Sequence, residues 1–418
     1  MELRYPTDSM KPTMIQTGTT AFTRATLALC LGSFIVFANL YITQPLFPLL
    51  RTQFELTDLQ ATWSLALPML TLGLSLLVYG PLSDALGRRR IMLLTLFGSS
   101  ALSLLIPLTQ GYDSLLALRM LQGLLLGGLP AIAIAYMGDE FERPALLLAV
   151  GLYISANSLG GISGRLVGGF VTDWLDWHSA FYLLGVLSLL GVALVAWLLP
   201  PSQHFQPRPL RPKTMATDLA GHLRNPLLVT AYLIGGLNFF IFSNQYSYIT
   251  YVLSDAPFEL APSWLGMLFL TYLSGSLGSA VSGKLSQRFG QPDCMLAGVL
   301  IMMLGSLLTL QQSLLTIVLG LLVSSFGFFI CHSVCSAWVN RNAEHARASA
   351  SSLYLVCYYL GAASGGFYLD RFWQAQGWNG VVLGSLLILT LTSALAFSLR
   401  YRLRRAADLS TATPAQAG

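Results

Sequence analysis

Apolar runs of about 20 residues recur along this chain from residue 26 to residue 399, and about 20 apolar residues is the length at which a helix crosses the hydrocarbon of a bilayer. Lipid offers no partner to a backbone N–H or C=O, so runs of this kind have to be helices. In order they fall near 26–49, 61–83, 91–109, 114–137, 145–170, 178–199, 226–252, 263–283, 293–311, 313–338, 350–369 and 379–399. Only 10% of the residues are charged, against about 25% in an ordinary soluble domain, which excludes a soluble globular fold. The expected fold class is an all-α membrane protein, with twelve transmembrane helices in two six-helix pseudo-symmetric bundles. The first run is long and follows some 25 mostly polar residues, so no cleaved signal peptide is expected.

The loops within each set of six spans are short, whereas residues 200–225 form a longer polar connection carrying Arg208, Arg211, Lys213 and Arg224. The expected division is a tail (1–25), a first bundle (26–199), a linker (200–225), a second bundle (226–399) and a second tail (400–418). Short loops rich in Lys and Arg stay in the cytoplasm. With the N-terminus inside, cytoplasmic segments hold 19 of the 23 basic residues and the opposite side holds only Arg51 and Arg371. Arg119 and Arg165 fall within spans. Both termini are therefore expected in the cytoplasm, and the net charge of +5 is a topology signal that calls for no nucleic acid.

The halves repeat one another at a nearly constant offset, as an internal duplication requires. Gly80, Leu82 and Gly87 recur as Gly283, Leu285 and Gly290, an offset of 203. Leu152, Tyr153, Leu159, Gly160, Gly164 and Trp177 recur as Leu353, Tyr354, Leu360, Gly361, Gly365 and Trp378, an offset of 201. Two repeats about an axis along the membrane normal form a transporter architecture, with the solute site expected at mid-membrane between them.

Other classes lack their chemistry. The five cysteines, Cys30, Cys294, Cys331, Cys335 and Cys357, have no metal-ligand spacing and read as packing residues. No Walker loop, metal cluster or nucleophile–base motif appears, so an enzyme and an ATP-driven pump are not expected, nor any cofactor. A sensor would carry a sizeable soluble output domain, and none is present.

The loop Gly80-Pro-Leu-Ser-Asp-Ala-Leu-Gly-Arg-Arg-Arg90 resembles the signature between the second and third helices of the major facilitator superfamily, through Gly80, Asp84, Gly87 and Arg88, followed by Arg89. The resemblance covers nearly the whole chain and implies the major facilitator fold. It also implies that this loop is a charge-linked latch, closed on the cytoplasmic side and broken on inward opening; Asp139 and Glu140, at the inner end of the fourth span, are read by their position as members of the latch rather than as solute contacts. The plain alternative is a basic stop-transfer loop. The second copy keeps Gly283 and Gly290 but has Gln287 in place of the acid.

In the fourth span, Arg119, Gln122 and Gly123 match a family pattern associated with proton coupling. A lone arginine in an apolar helix is costly unless it faces a cavity or a partner; the alternative role is to bond neighbouring carbonyls and fix helix packing. In the fifth span, Gly151, Gly160, Gly164 and Gly168 resemble the glycine spacing of drug–proton antiporters, a spacing that also permits close helix contact in any membrane bundle. The family motif has proline after the third glycine and this chain has Arg165. Three readings stand for Arg165: snorkelling to headgroups, pairing with Asp173 or Asp176, or facing an anionic solute. Within the superfamily the chain is most similar to bacterial inner-membrane carriers described as sugar-efflux permeases, through Leu152–Arg165, the link Leu210–Thr214, and Ser351–Tyr354 with Tyr358–Gly361.

None of the 18 acids lies in the middle of a span, so no carboxylate is an evident proton carrier. His332, in the tenth span, titrates in the right range, although a buried histidine also serves as a packing donor. The candidates for proton coupling are thus Arg119 and His332. Helices one, four, seven and ten line the cavity in the family, which makes Asn39, Tyr41, Gln44, Gln122, Asn238, Asn244, Gln245 and Tyr248 candidate solute contacts. The expected function is a secondary carrier working by alternating access, exporting a small polar or amphipathic solute in exchange for protons. The alternative is uptake or exchange of a small organic anion or sugar. The expected setting is a bacterial inner membrane and the expected state a monomer. Because only the first latch has its carboxylate, Asp84→Asn is expected to impair flux into liposomes far more than Gln287→Ala; equal effects would show the asymmetry to be irrelevant.

Overall fold

The computed structural model describes residues 14–412 apart from 208, 210, 211 and 312. Arg4 and Lys11 of the tail, Arg208, and Leu210 and Arg211 of the link lie outside the described residues. The first span is α1 (Thr20–Tyr41), a 3-10 turn (Gln44–Leu46) and α2 (Phe47–Gln53). It is followed by α3 (Asp58–Leu86), α4 (Arg88–Leu105), α5 (Tyr112–Leu126), α6 (Gly128–Glu140), α7 (Arg143–Trp174) and α8 (Trp177–Leu198). A linker helix α9 (Pro212–Arg224) leads to α10 (Pro226–Ser254), α11 (Pro262–Met267), α12 (Tyr272–Phe289), α13 (Gln291–Leu308), α14 (Leu314–Asn342) and α15 (Arg347–Ala412). The last is two spans in one element, since Gln376 (φ −143°, ψ 17°) and Gly377 (φ 56°, ψ −138°) break it. All twelve expected spans are helical.

Three of them are interrupted, which the apolar pattern does not reveal. Pro45 and Pro48 cannot donate into a helix, so α-helical bonding in the first span gives way after Tyr41 to the 3-10 turn Gln44–Leu46. The fourth breaks at Gly127–Gly128 and the eighth at the 3-10 turn Leu268–Thr271.

The duplication is visible in the backbone. Gly87 ends α3 with φ 103° and Gly290 ends α12 with φ 91°, a region that only glycine enters freely. In each half the first and fifth spans meet at backbone distance. A Cβ on Gly160, Gly164 or Gly168 of α7 would lie 2.1–2.4 Å from the carbonyl oxygens of Phe34, Ala38 and Ile42. In the second half, Gly361 and Gly365 meet the carbonyls of Gly236 and Phe240 at 2.1–2.2 Å in the same sense. The first and third spans of each half are joined by matching amide clamps: Ser103 donates to Asn39 at 2.5 Å, and Gln245 donates to Ser306 at 2.9 Å.

Gly151 stands apart from this seam: a Cβ placed on it would meet nothing within 4 Å. Gly164→Ala is therefore expected to lower the melting temperature of the detergent-purified protein, a cost of about 1–3 kcal/mol for overpacking. Gly151→Ala should leave it unchanged.

Candidate functional site

Arg119 is fully buried, and its surroundings follow from the breaks in the helices. The last carbonyls of a helix have no partner within it, and α1 ends at Tyr41. Arg119 Nη1 donates to Asn39 O at 2.9 Å and Nη2 to Leu40 O at 2.7 Å. Pro68 removes the N–H that the Ser64 carbonyl would take, and Arg119 Nε donates there at 3.0 Å. Nη1 also donates to Gln122 Oε1 at 2.5 Å. A guanidinium on the negative end of α1 is favourably placed, and this is the carbonyl-binding alternative named for it above.

The amides expected to face a solute lie instead inside the bundles. Gln122 Nε2 donates to Ser99 O and Ser103 Oγ; Asn39 Nδ2 donates to Ile35 O and Ser188 Oγ. Gln245 is held by Ser306. Asn244 donates to the carbonyls of Phe240 and Ala362, bonding α10 to α15. Asn238 donates to Phe328 O at 3.4 Å, and its own Oδ1 is buried without a partner. Span membership placed these residues correctly, but their helix faces turn them into their own half.

Tyr41 and Gln44 do reach the seam between halves. Gln44 Nε2 donates to Ser243 O at 3.5 Å and Ser247 Oγ at 3.4 Å on α10. Its Oε1 accepts from Arg165 Nε at 2.8 Å. Arg165 is 1% exposed, which overturns the snorkelling reading. Pairing with the acids is also overturned, since Asp173 accepts from Ser263 and Asp176 caps α8 through the Ser179 N–H. The Arg165 guanidinium lies 3.8 Å from the Tyr41 ring centroid, 4.3 Å from Phe269 and 4.9 Å from Tyr272.

The loops 84–90, 138–144 and 343–349 gather with the linker at one end of the molecule, the linker end. A cavity of about 680 Å³ opens there between the halves, lined by Asp84, Arg88, Ala131, Met215, Ser349 and Ser352 among others. Gly80 lines it too. Arg88 bonds Asp84 at 2.9 Å and also bonds Asp139, both within the first half. Glu140 and Arg89 do not join this cluster. Glu140 takes the backbone N–H and ring of His204 in the linker, and Arg89 donates to the carbonyls of Ala196 and Leu199 at the end of α8. On the linker's other side His222 stacks on His345, with ring centroids 4.9 Å apart.

The far end is shut by a network that no sequence motif announces. Arg51 bonds Asp58 at 3.0 Å and, across the halves, Asp255 at 2.9 Å. Asp58 also accepts from Trp373 Nε1 at 2.8 Å, and its carbonyl from Tyr251 OH at 2.8 Å. Tyr248 OH donates to Asp370 at 3.1 Å nearby. The one signal in the sequence was the isolation of Arg51 on a side with almost no other cation. His332 is half-buried, bonded through Nδ1 to Tyr354 OH at 2.9 Å and packed on Tyr358 at 4.5 Å.

The family model described as Major Facilitator Superfamily matches residues 29–366 and 261–417. The chain belongs to the major facilitator superfamily. It is 40% identical over 391 residues to the inner membrane transport protein YnfM of Escherichia coli K12, covering 93% of each chain. It is 38% identical over 370 residues to the uncharacterized MFS-type transporter YybF of Bacillus subtilis, covering 88% of this chain and 92% of the other. Among solved structures, the nucleoside transporter NupG shares the fold with TM-score 0.71 at 14% identity, covering 90% of this chain and 99% of that one. Superfamily membership makes the protein a multi-pass membrane transporter working by alternating access, not an enzyme.

Arg119→Gln leaves the carbonyls of Asn39, Leu40 and Ser64 without their donor. It is expected to destabilise the folded protein by about 3 kcal/mol, read as a lowered melting temperature, with Arg119→Lys recovering part of the loss.

Proposed function

We propose that this superfamily member is a proton-coupled exporter of a small amphipathic solute in a bacterial inner membrane, monomeric, with both termini in the cytoplasm. The observation that carries the reading is the opposition of the two ends: the Arg51–Asp58–Asp255 network holds the far end shut while a cavity opens at the linker end. That is the loading state of an exporter whose linker end faces the cytoplasm. The halves, residues 26–199 and 226–399, rock as units about the seam. In this state Arg88 is engaged with Asp84 and Asp139 of its own half, so this charge cluster stays formed while the linker end is open.

Export is favoured by an alignment with the chloramphenicol resistance protein CraA of Acinetobacter baumannii, 29% identical over 177 residues and 41% of this chain. For the proton, His332 is the better of the two candidates. Its ring is half-buried against Tyr354 and Tyr358 and can carry a proton on either nitrogen, whereas every polar edge of Arg119 is engaged by carbonyl oxygens.

A thermal-shift screen of metabolites and drugs on the purified protein will identify a ligand, since binding to the native state raises its apparent stability. In liposomes that ligand should move in response to an imposed pH gradient. His332→Asn should abolish the response to the gradient and leave solute counterflow intact. Loss of counterflow as well would place His332 in solute binding, and ligand flux without any proton flux in the native protein would sink the coupling.

A further inference from the structure

Two arginines are buried in the spans, and only one of them is explained by packing. Arg119 is offset by three carbonyls and an amide. Arg165 makes no ion pair among the described residues. It has two hydrogen bonds, from Nε to Gln44 and from Nη1 to Gly161 O at 2.9 Å. The half-buried Tyr41 phenol is a further hydrogen-bonding neighbour of the guanidinium.

The faces of the guanidinium are covered by Tyr41, Phe269 and Tyr272. Such cation–π contacts offset part of the cost of placing an arginine within the membrane-spanning bundle. No carboxylate among the described residues neutralises the cation, so the cage leaves its charge unpaired. The cage is also built from both halves. Tyr41 and Gln44 belong to the first span, whereas Phe269 and Tyr272 belong to the broken eighth span. At the same place the backbones touch, a Cβ on Gly266 falling 2.8 Å from Arg165 O. When the far end parts, the two second-half rings leave with their own half.

We propose that Arg165 is the anion-recognising group of the solute site, taking a carboxylate attached to a flat apolar body, and that this anion competes with the aromatic cage so that its binding opens the far end. The carboxylate meets the planar fork of donors that suits it, and the apolar body stacks where Phe269 and Tyr272 withdraw. Gln44 transmits the change, because its carbonyl oxygen is held by Arg165 while its amide nitrogen is held by α10. By reciprocity, a ligand bound better with the cage open must favour the open far end to the same extent. The inference rests on the alternating-access reading and adds the solute's chemistry and the group that senses it.

The test uses full-length protein in nanodiscs, with benzoate as probe and benzamide as its uncharged isostere. Thr62→Cys with Gly366→Cys reports on the far end, since a Cβ on Gly366 lies 3.7 Å from Thr62 Oγ1 across the halves. Benzoate should slow disulfide formation between these two positions and benzamide should not; Arg165→Gln should abolish the effect. Tyr272→Leu removes one competing ring and should tighten benzoate binding by about threefold or more, a gain that a merely structural role for the cage does not give. Benzoate binding that is absent, or unchanged in Arg165→Gln when melting confirms the fold, overturns the ligand class. Arg165-dependent binding with no effect on the disulfide rate overturns the coupling. If cross-linked and reduced proteins transport equally well, the alternating-access reading fails instead, whatever Arg165 binds.

Discussion

A membrane interior supplies no water to finish an incomplete hydrogen bond, so every break in a spanning helix must be repaired by another part of the protein. Arg119 is the main repair in the first half. The break after Tyr41 and the proline at position 68 between them leave carbonyls of Asn39, Leu40 and Ser64 facing one point, and the guanidinium occupies it. The fold thus depends on a charge that stabilises interrupted helices by bonding to what the interruptions expose.

The duplicated halves share their scaffold and differ where they do something. Glycine seams, amide–serine clamps and left-handed loop glycines recur in both. Charge does not: at the offset of 201, Arg165 corresponds to Gly366, and at the offset of 203, Asp84 corresponds to Gln287. Shared elements set how each bundle packs, while Arg165 sits where the bundles meet and Asp84 lines the cavity where they part.

The sequence disclosed the number of spans, the division into repeats and the seam glycines, because bilayer thickness and backbone contact impose length and residue size directly. It left open which face of a span a polar side chain occupies. Asn39, Gln122 and Gln245 lie on the predicted helices but point into their own bundles, since a helix apolar nearly all round gives no periodicity from which to read its orientation. The helix breaks were also hidden, as Gly127 and the residues 268–271 sit inside unbroken apolar runs. The far-end network was missed for a different reason: Arg51, Asp58, Asp255 and Trp373 are far apart in sequence and belong to no motif, so only the folded chain brings them together.

The linker is anchored at both of its ends, by His204 on Glu140 of the first half and by His222 on His345 of the second. His222 lies within α9, two residues before its end at Arg224, and His204 lies eight residues before its start at Pro212; the helix is thirteen residues long, about 20 Å at 1.5 Å per residue. The linker is thus tied to both bundles, so a swing of one bundle against the other has to be taken up by the chain between the two histidine contacts.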